Sequence, residues 1–174
     1  MHIQAIHFRR LFVLLSLMLL VSCGFHMRGL TELPFKTLCI KYNGTATAAL
    51  VKELRRAMTS NGITLMPTEE GADMQLEIMG ERIEKKILSL SGGGKVREYE
   101  LIYQVTFRLR QSGSELWSAP QLVEQRRDYS YDDTQVLAKE GEEARLYSDM
   151  RSDSTREIMR RLNAIKVSKP AAAG

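Results

Sequence analysis

Few residues of this 174-residue chain have the types and spacing that catalysis needs. The chain has two cysteines, Cys23 and Cys39, and His26 is the only histidine after residue 22. Acidic residues stand side by side at positions 69–70, 132–133 and 142–143, as is typical of carboxylates that cap or solvate helices. No Gly-x-Ser-x-Gly, His-Glu-x-x-His or Cys-x-x-Cys motif is present. The sequence therefore indicates a protein that is not an enzyme, with no cofactor and no bound metal.

The glycine-rich segment SGGGKV, residues 91–96, is similar to a phosphate-binding loop only in composition. A P-loop needs two glycines around four residues, then Lys and Ser or Thr, and it opens a helix. Here Val96 follows Lys95, and a strand pattern comes next. The segment therefore predicts a turn rather than a nucleotide site.

Cys23 stands directly behind an export signal. Arg9 and Arg10 precede an apolar run over residues 11–21. Such a run is typical of a signal peptide, whereas a helix that crosses the bilayer needs about 20 apolar residues. The residues before Cys23, Leu-Val-Ser, resemble the lipobox of bacterial lipoproteins, in which the cysteine thiol carries a diacylglyceryl group. The alternative is an ordinary signal peptide followed by a structural cysteine.

The residue after Cys23 is Gly24. In lipoproteins of this type an Asp at that place tends to mean retention at the inner membrane, so Gly24 favours sorting to the outer membrane. Cys39, in the β-prone segment TLCIKY, is expected to be a small buried hydrophobic residue.

Charge and length limit the classes of function. The chain has 25 basic and 21 acidic residues, and removal of Arg9 and Arg10 with the signal leaves 23 basic residues and a net charge of about +2. This balance is too mild for a nucleic-acid binder. The expected organisation is a signal peptide at 1–22, a lipidated leader at 23–36, a single domain at 37–167 and a disordered tail at 168–174.

Hydrophobic periodicity predicts the elements of that domain. A short strand over residues 37–42 is followed by a helix that Thr45 caps and that stops at Asn61-Gly62. A long strand is expected within ADMQLEIMGERIEKKIL, residues 72–88, in which Gly80 predicts a bulge. A strand with a buried face from Leu101 to Leu109 returns through a hairpin loop into a third long strand.

The last element is a helix over about residues 133–166, with Asp132 and Asp133 as its expected caps. Its buried side is expected to carry Tyr147, Met150, Ser154, Ile158, Leu162 and Ile165, which step by 3 or 4. The order predicts an α+β fold (β-α-β-β-β-α) with two helices packed on one face of a four-stranded, mostly antiparallel sheet.

Three segments together resemble the LptE family of LPS-assembly lipoproteins. CGFHMRG from Cys23 resembles the start of the mature family members, REYELIYQVTFRLR resembles their long strand, and VLAKEGEEARLYSDM resembles the segment that opens their last helix. The resemblance covers nearly the whole chain after residue 22.

The resemblance implies an outer-membrane lipoprotein that plugs the β-barrel LptD, helps it assemble and binds lipopolysaccharide. Its partners would be LptD, lipopolysaccharide and the membrane through the lipid anchor, with the domain facing the periplasm and the barrel lumen. The family's lipopolysaccharide-contacting Lys at the start of the last helix matches Lys139. The family's basic turn residue matches less well, because SGGGKVR lacks the family spacing; Lys95 is the first candidate and Arg97 the second.

Two other functions stay open at this point. One is a generic assembly lipoprotein of a different outer-membrane machine, and the other is a lipid-anchored periplasmic hydrolase, which would need a carboxylate pair in a cleft. Lys95 and Lys139 have a simpler interpretation too, as ordinary exposed lysines.

Overall fold

A computed structural model describes residues 33–165 of the chain. The predictions for the signal peptide, for Cys23, Gly24 and His26, and for the tail lie outside these residues. Within them, no helix is long and apolar enough to cross a membrane.

Five strands and two helices make up the fold. They are β1 (Thr37–Tyr42), α1 (Ala48–Ser60), β2 (Thr64–Met66), β3 (Met74–Leu90), β4 (Val96–Gln111), β5 (Gln121–Ser130) and α2 (Val136–Asn163). The sheet order is β2-β1-β3-β4-β5. β1 is parallel to both of its neighbours, whereas β3, β4 and β5 are antiparallel. The predicted α+β fold is confirmed, with one strand more than the four expected.

The additional strand is β2, which pairs with the first half of β1. Its three residues are too short to show an alternation of apolar and polar side chains, so periodicity could not reveal it. β2 extends the sheet beneath α1 and helps to bury the start of β1.

α1 forms because a capped segment carries apolar residues at helical spacing. Its N-cap is Thr47, whose hydroxyl accepts a hydrogen bond from the Leu50 backbone N–H at 3.2 Å. Thr45 was the wrong choice, because its hydroxyl bonds Asn43 instead. The predicted stop is confirmed: Asn61 is the C-cap, and Gly62 has a φ of 77°, a left-handed conformation that glycine adopts without steric cost.

β3 and β4 form a long hairpin that reaches beyond β1 and β2, while β5 runs alongside β4 as far as Glu98. The register shifts between Ile78 and Gly80, which confirms the predicted bulge. β1 pairs with β3 only as far as Ile78. Beyond that point, the outer edge of β3 has no neighbouring strand among residues 33–165. The outer half of the hairpin therefore has an open edge on β3 and β5 on its other side, and it ends in a turn at residues 91–95.

α2 starts at Val136, later than predicted. Its N-cap, Gln135, makes no side-chain cap hydrogen bond. Asp132 and Asp133 do not cap it, because Asp132 accepts hydrogen bonds from Thr134 and Asp133 pairs with Lys95. The predicted buried stripe is correct, with four residues fully or almost fully buried and two partly buried: Met150, Ser154, Ile158 and Leu162, then Tyr147 and Ile165.

Both helices cover one face of the sheet through a shared core. Leu54 from α1, Ile158 from α2 and Phe107 from β4 are each 0% exposed. Burial of side chains of this size contributes about 1.5–3 kcal/mol each. The core therefore fixes α2 along β4 and β5, and this places the first turns of α2 at the hairpin tip.

Candidate functional site

The hairpin tip holds Lys95 in an ordered turn. Ser91 donates a backbone hydrogen bond to the Lys95 carbonyl at 2.8 Å, and Gly94 supplies a φ of 77°. The Lys95 ammonium lies 2.7 Å from a carboxylate oxygen of Asp133, and its side chain is 73% exposed. The hydrogen bond to Asp133 raises the pKa of Lys95. Lys95 therefore presents a fixed positive charge to solvent.

Lys139 lies in the first turns of α2, at the same end of the molecule. Its ammonium is 2.8 Å from Glu142 and 3.2 Å from the hydroxyl of Ser130, the last residue of β5. Its side chain is only 16% exposed. Lys139 is thus more enclosed than an ordinary surface lysine.

The structure brings Lys95 and Lys139 to the same short segment, which joins β5 to α2. Hydrogen bonds from the backbone and hydroxyl of Thr134 lower the pKa of Asp132, and the positive charges of Lys139 and Lys95 lower it further. Both ammonium groups therefore lie within electrostatic reach of one carboxylate. Their convergence depends on the return path of β5, which the sequence does not encode locally.

Arg97, the second candidate in the turn region, is the second residue of β4. Its carbonyl accepts a hydrogen bond from the Tyr131 backbone at 2.7 Å. The residue is exposed, and its guanidinium forms no ion pair within residues 33–165. Arg97 remains available for an anion that binds near the hairpin tip.

Lys85, which the sequence analysis missed, connects the hairpin to α2. Its ammonium lies 2.5 Å from Glu143 and 4.1 Å from the ring centre of Tyr99. Tyr129 and Tyr131 complete the surround at 5.6 and 5.8 Å. Burial acts to lower the pKa of Lys85, but hydrogen bonds with Glu143 and Tyr129 outweigh it and raise the pKa. Lys85 is therefore a charged lysine enclosed by three aromatic rings and a carboxylate.

The three tyrosines form a connected cluster. Tyr99 and Tyr129 are cross-strand partners whose rings stack at 5.8 Å, and Tyr131 meets Tyr99 edge to face at 5.2 Å. Burial and the hydrogen bond to Glu143 raise the pKa of Tyr129 to about 12. The cluster could have been predicted from two features of the sequence. Two tyrosines fall at paired positions of neighbouring strands, and a lysine lies on the strand next to them.

Large apolar side chains are exposed at the same end. Ile87, Leu88 and Leu90 on β3 are 58%, 49% and 56% exposed, and Leu137 on α2 is 84% exposed. Exposed apolar surface beside cations is complementary to a ligand with an anionic head and an apolar body. This end of the domain therefore combines the two kinds of contact that an amphiphile requires.

The remaining predicted residues contribute nothing to this end. Cys39 is buried at 3% exposure, as expected of a small hydrophobic residue in β1. Across residues 33–165, no group of three or more His, Cys, Asp or Glu side chains is arranged to hold a metal ion. The absence of catalysis stays a prediction.

The family model described as "LptE: Lipopolysaccharide-assembly" matches residues 35–162, which include every strand and nearly all of α2. The chain belongs to the LptE family. The LPS-assembly lipoprotein LptE of Yersinia enterocolitica is 26% identical over 159 residues, which cover 88% of this chain and 75% of that protein. The LptE of Pectobacterium atrosepticum is 23% identical over 166 residues, 92% of this chain and 89% of that protein.

Solved structures of lipoproteins have the same fold. Lipoprotein B from Nitrosomonas europaea is 35% identical, with a TM-score of 0.70 over 81% of this chain and 91% of its own. Rare lipoprotein B from Shewanella oneidensis is 28% identical, with a TM-score of 0.65 over 73% and 93% of the two chains. The family predicted from three sequence segments is confirmed, and this LptE-family chain shares its architecture with lipoproteins.

Proposed function

We propose that this chain is an outer-membrane lipoprotein that plugs and helps assemble the LptD β-barrel and binds lipopolysaccharide for insertion into the outer leaflet. Its anchor is the diacylglyceryl group that the Cys23 sulfur carries as a thioether. The observation that carries the proposal is the convergence of Lys95 and Lys139 beside exposed apolar side chains at the hairpin tip. Membership of the LptE family supports it.

Lipopolysaccharide binding at the tip follows from the chemistry of the ligand. Lipid A carries phosphates on an acylated sugar. Lys95 and Lys139 supply point charges for phosphate, and Arg97 supplies a bidentate guanidinium. Ile87, Leu90 and the exposed start of α2 offer apolar surface for acyl chains. The anionic head and the acyl part are then held by neighbouring groups of one site.

The binding test is a double charge reversal, Lys95→Asp with Lys139→Asp. We expect it to weaken binding of purified lipopolysaccharide by about tenfold or more, because each charge-assisted contact is lost and replaced by repulsion. Circular dichroism should be unchanged. The matched control is Lys36→Asp with Lys41→Asp, which makes the same change of charge away from the site, since Lys36 is exposed just before β1 and Lys41 on β1 pairs with Glu69. Undiminished binding in the double variant, or equal loss in the control, would remove these lysines from the site.

The single variants distinguish the two lysines. Lys95 is 73% exposed, whereas Lys139 is 16% exposed and already bonded to Glu142 and Ser130. We therefore expect Lys95→Asp alone to weaken binding more than Lys139→Asp alone. The opposite order would mean that the ligand enters between α2 and β5 rather than at the turn.

The plug function is tested by co-purification of the tagged chain in detergent. We expect one large β-barrel protein, LptD, to be recovered in equal amount. Mixed charge over the surface, with many short ion pairs, suits contact with a polar barrel lumen. Recovery of the chain as a free monomer would contradict the proposal, and a different barrel would favour a generic assembly lipoprotein.

A further inference from the structure

A second cationic surface lies on α1, away from the hairpin tip. A groove of about 400 Å³ runs along one flank of the helix against the end of β1. Val51, 6% exposed, lies at its base, and Tyr42, 53% exposed, stands at its edge. Three cations line it: Lys52, Arg55 and Arg56. We call this the α1 groove.

The three cations of the α1 groove have no acidic partners. Within residues 33–165, Lys52, Arg55 and Arg56 make no ion pair and no side-chain hydrogen bond. Most other cations of the domain are paired, and Lys41 on the adjacent strand lies 2.8 Å from Glu69. Positive charges three and four residues apart on a helix repel one another. An anion bound between them would remove that repulsion.

The chemistry of the α1 groove defines its ligand. Two neighbouring guanidiniums offer forked donors that match the geometry of a phosphate. The apolar base at Val51 and the ring of Tyr42 favour a ligand that also carries an apolar part. We propose that the α1 groove binds the phosphate head group of an anionic phospholipid, with the upper acyl region against Val51 and Tyr42.

The position of the groove favours a lipid of the membrane that holds the anchor. The C-terminal end of α1 is linked to the segment that leads into β1. The backbone N–H of Ile63 donates to the Met58 carbonyl at 3.1 Å, and the next residue, Thr64, donates its backbone N–H to the Lys36 carbonyl at 2.9 Å. Leu33 follows Cys23 by ten positions, a distance of at most about 35 Å when the chain is fully extended. A lipid anchor at Cys23 therefore keeps Leu33, and with it the start of the domain, within that distance of the bilayer surface. The inference rests on the anchor in the proposed function, but not on lipopolysaccharide binding.

The experiment uses the full lipid-anchored chain in two kinds of phosphatidylcholine vesicle. One contains a photoactivatable phosphatidylglycerol, and the other contains phosphatidylcholine with the same photoactivatable label. Crosslinked peptides are identified by mass spectrometry. We expect the peptide from Tyr42 to Arg56 to be labelled by phosphatidylglycerol about tenfold more than by phosphatidylcholine. Arg55→Gln with Arg56→Gln should lower that labelling about tenfold, a change of about 1.4 kcal/mol.

The matched control is Arg82→Gln with Arg145→Gln, two exposed arginines outside the groove. The control should label as the unsubstituted chain does. Equal labelling by the two lipids, or an equal loss in the control, would overturn the inference. Binding of inorganic phosphate by the chain without any lipid labelling above the phosphatidylcholine level would also overturn it, because the groove would then bind free phosphate and not a lipid.

A measurement of lipopolysaccharide binding by the groove variant distinguishes this inference from the proposed function. The variant Arg55→Gln with Arg56→Gln should bind lipopolysaccharide as tightly as the unsubstituted chain. If instead it loses lipopolysaccharide binding and shows no preference for phosphatidylglycerol, the groove belongs to the lipopolysaccharide path and the phospholipid inference is wrong. If Lys95→Asp with Lys139→Asp does not weaken lipopolysaccharide binding, the proposed site at the hairpin tip is wrong, but the labelling of the α1 groove by phosphatidylglycerol is unaffected.

Discussion

Replacement of Lys85 by methionine should loosen the contact between the hairpin and α2. The substitution keeps most of the apolar stem but removes the ammonium, which lies 2.5 Å from Glu143 and 4.1 Å from the ring centre of Tyr99. Glu143, with a side chain 23% exposed, would keep only its hydrogen bond from Tyr129. The interaction lost is therefore a partly buried, charge-assisted one rather than a solvated surface pair.

The magnitude follows from those contacts. A hydrogen bond to a charged group contributes about 1.5–3 kcal/mol, and a partly exposed cation–π contact about 0.5–1 kcal/mol. Because Lys85 keeps a third of its side chain in solvent, we take the lower part of that range and expect a loss of about 2 kcal/mol in the free energy of unfolding. For a domain of this size that corresponds to a fall in Tm of about 4–8 °C.

The assay is urea denaturation followed by circular dichroism, with calorimetry for Tm. The matched control is Lys86→Met, because the next residue along β3 is half-exposed and lies 3.5 Å from Glu84. It should cost about 0.5 kcal/mol or less. Glu143→Gln should cost less in the Lys85→Met background than alone, since the two residues share one interaction. A loss below about 0.5 kcal/mol for Lys85→Met, or additive effects in the double variant, would refute the reasoning.

Three further predictions concern the stability of the domain. Asp73→Ala removes the acceptor of two 2.9 Å hydrogen bonds from the backbone of Lys36 and Thr37, and urea denaturation should show a loss of about 1–3 kcal/mol. Phe107→Ala empties a fully buried position and should cost about 3–5 kcal/mol; a cost near 1 kcal/mol would contradict the packing. Stability should also fall in acid. The backbone hydrogen bond from Lys36 lowers the pKa of Asp73. Burial acts to raise the pKa of Glu143, but hydrogen bonds from Lys85 and Tyr129 outweigh it and lower that pKa below its usual 4.5. Their contribution is complete above pH 4.5 and is lost as the pH falls through the folded-state pKa values, so acid titrations of Glu143→Gln should show a smaller slope below pH 4.5.

Long periodic segments made most of the fold predictable. The alternation from Leu101 to Leu109 and the stripe from Met150 to Leu162 report burial directly, since each residue's face follows from its place in the repeat. Capping was less predictable because several residues with suitable side chains compete. Thr47 rather than Thr45 caps α1, and Glu81, which accepts hydrogen bonds from the Thr47 backbone and hydroxyl, helps to select it.

The candidate site was predictable in its residue types but not in its geometry. Lys139 and Lys95 were found through family resemblance, and their relation to one carboxylate depends on how β5 returns to the hairpin tip. Lys85 was missed because a lysine within a charged run, residues 84–86, is indistinguishable in sequence from a solvated one. Only the pairing of β3, β4 and β5 shows which of these side chains meets the tyrosines.

Within residues 33–165, the outer edge of β3 has no neighbouring strand beyond Ile78, and this has a consequence for how copies of the protein meet. An unpaired strand edge is a template on which another chain can add a strand and start aggregation. Five of the six residues from 81 to 86 are charged, and register shifts distort the strand again between Ile87 and Leu90. Charges and irregular pairing both oppose the addition of a strand. The protein can therefore keep one long edge of β3 open while disfavouring edge-to-edge pairing with its own copies.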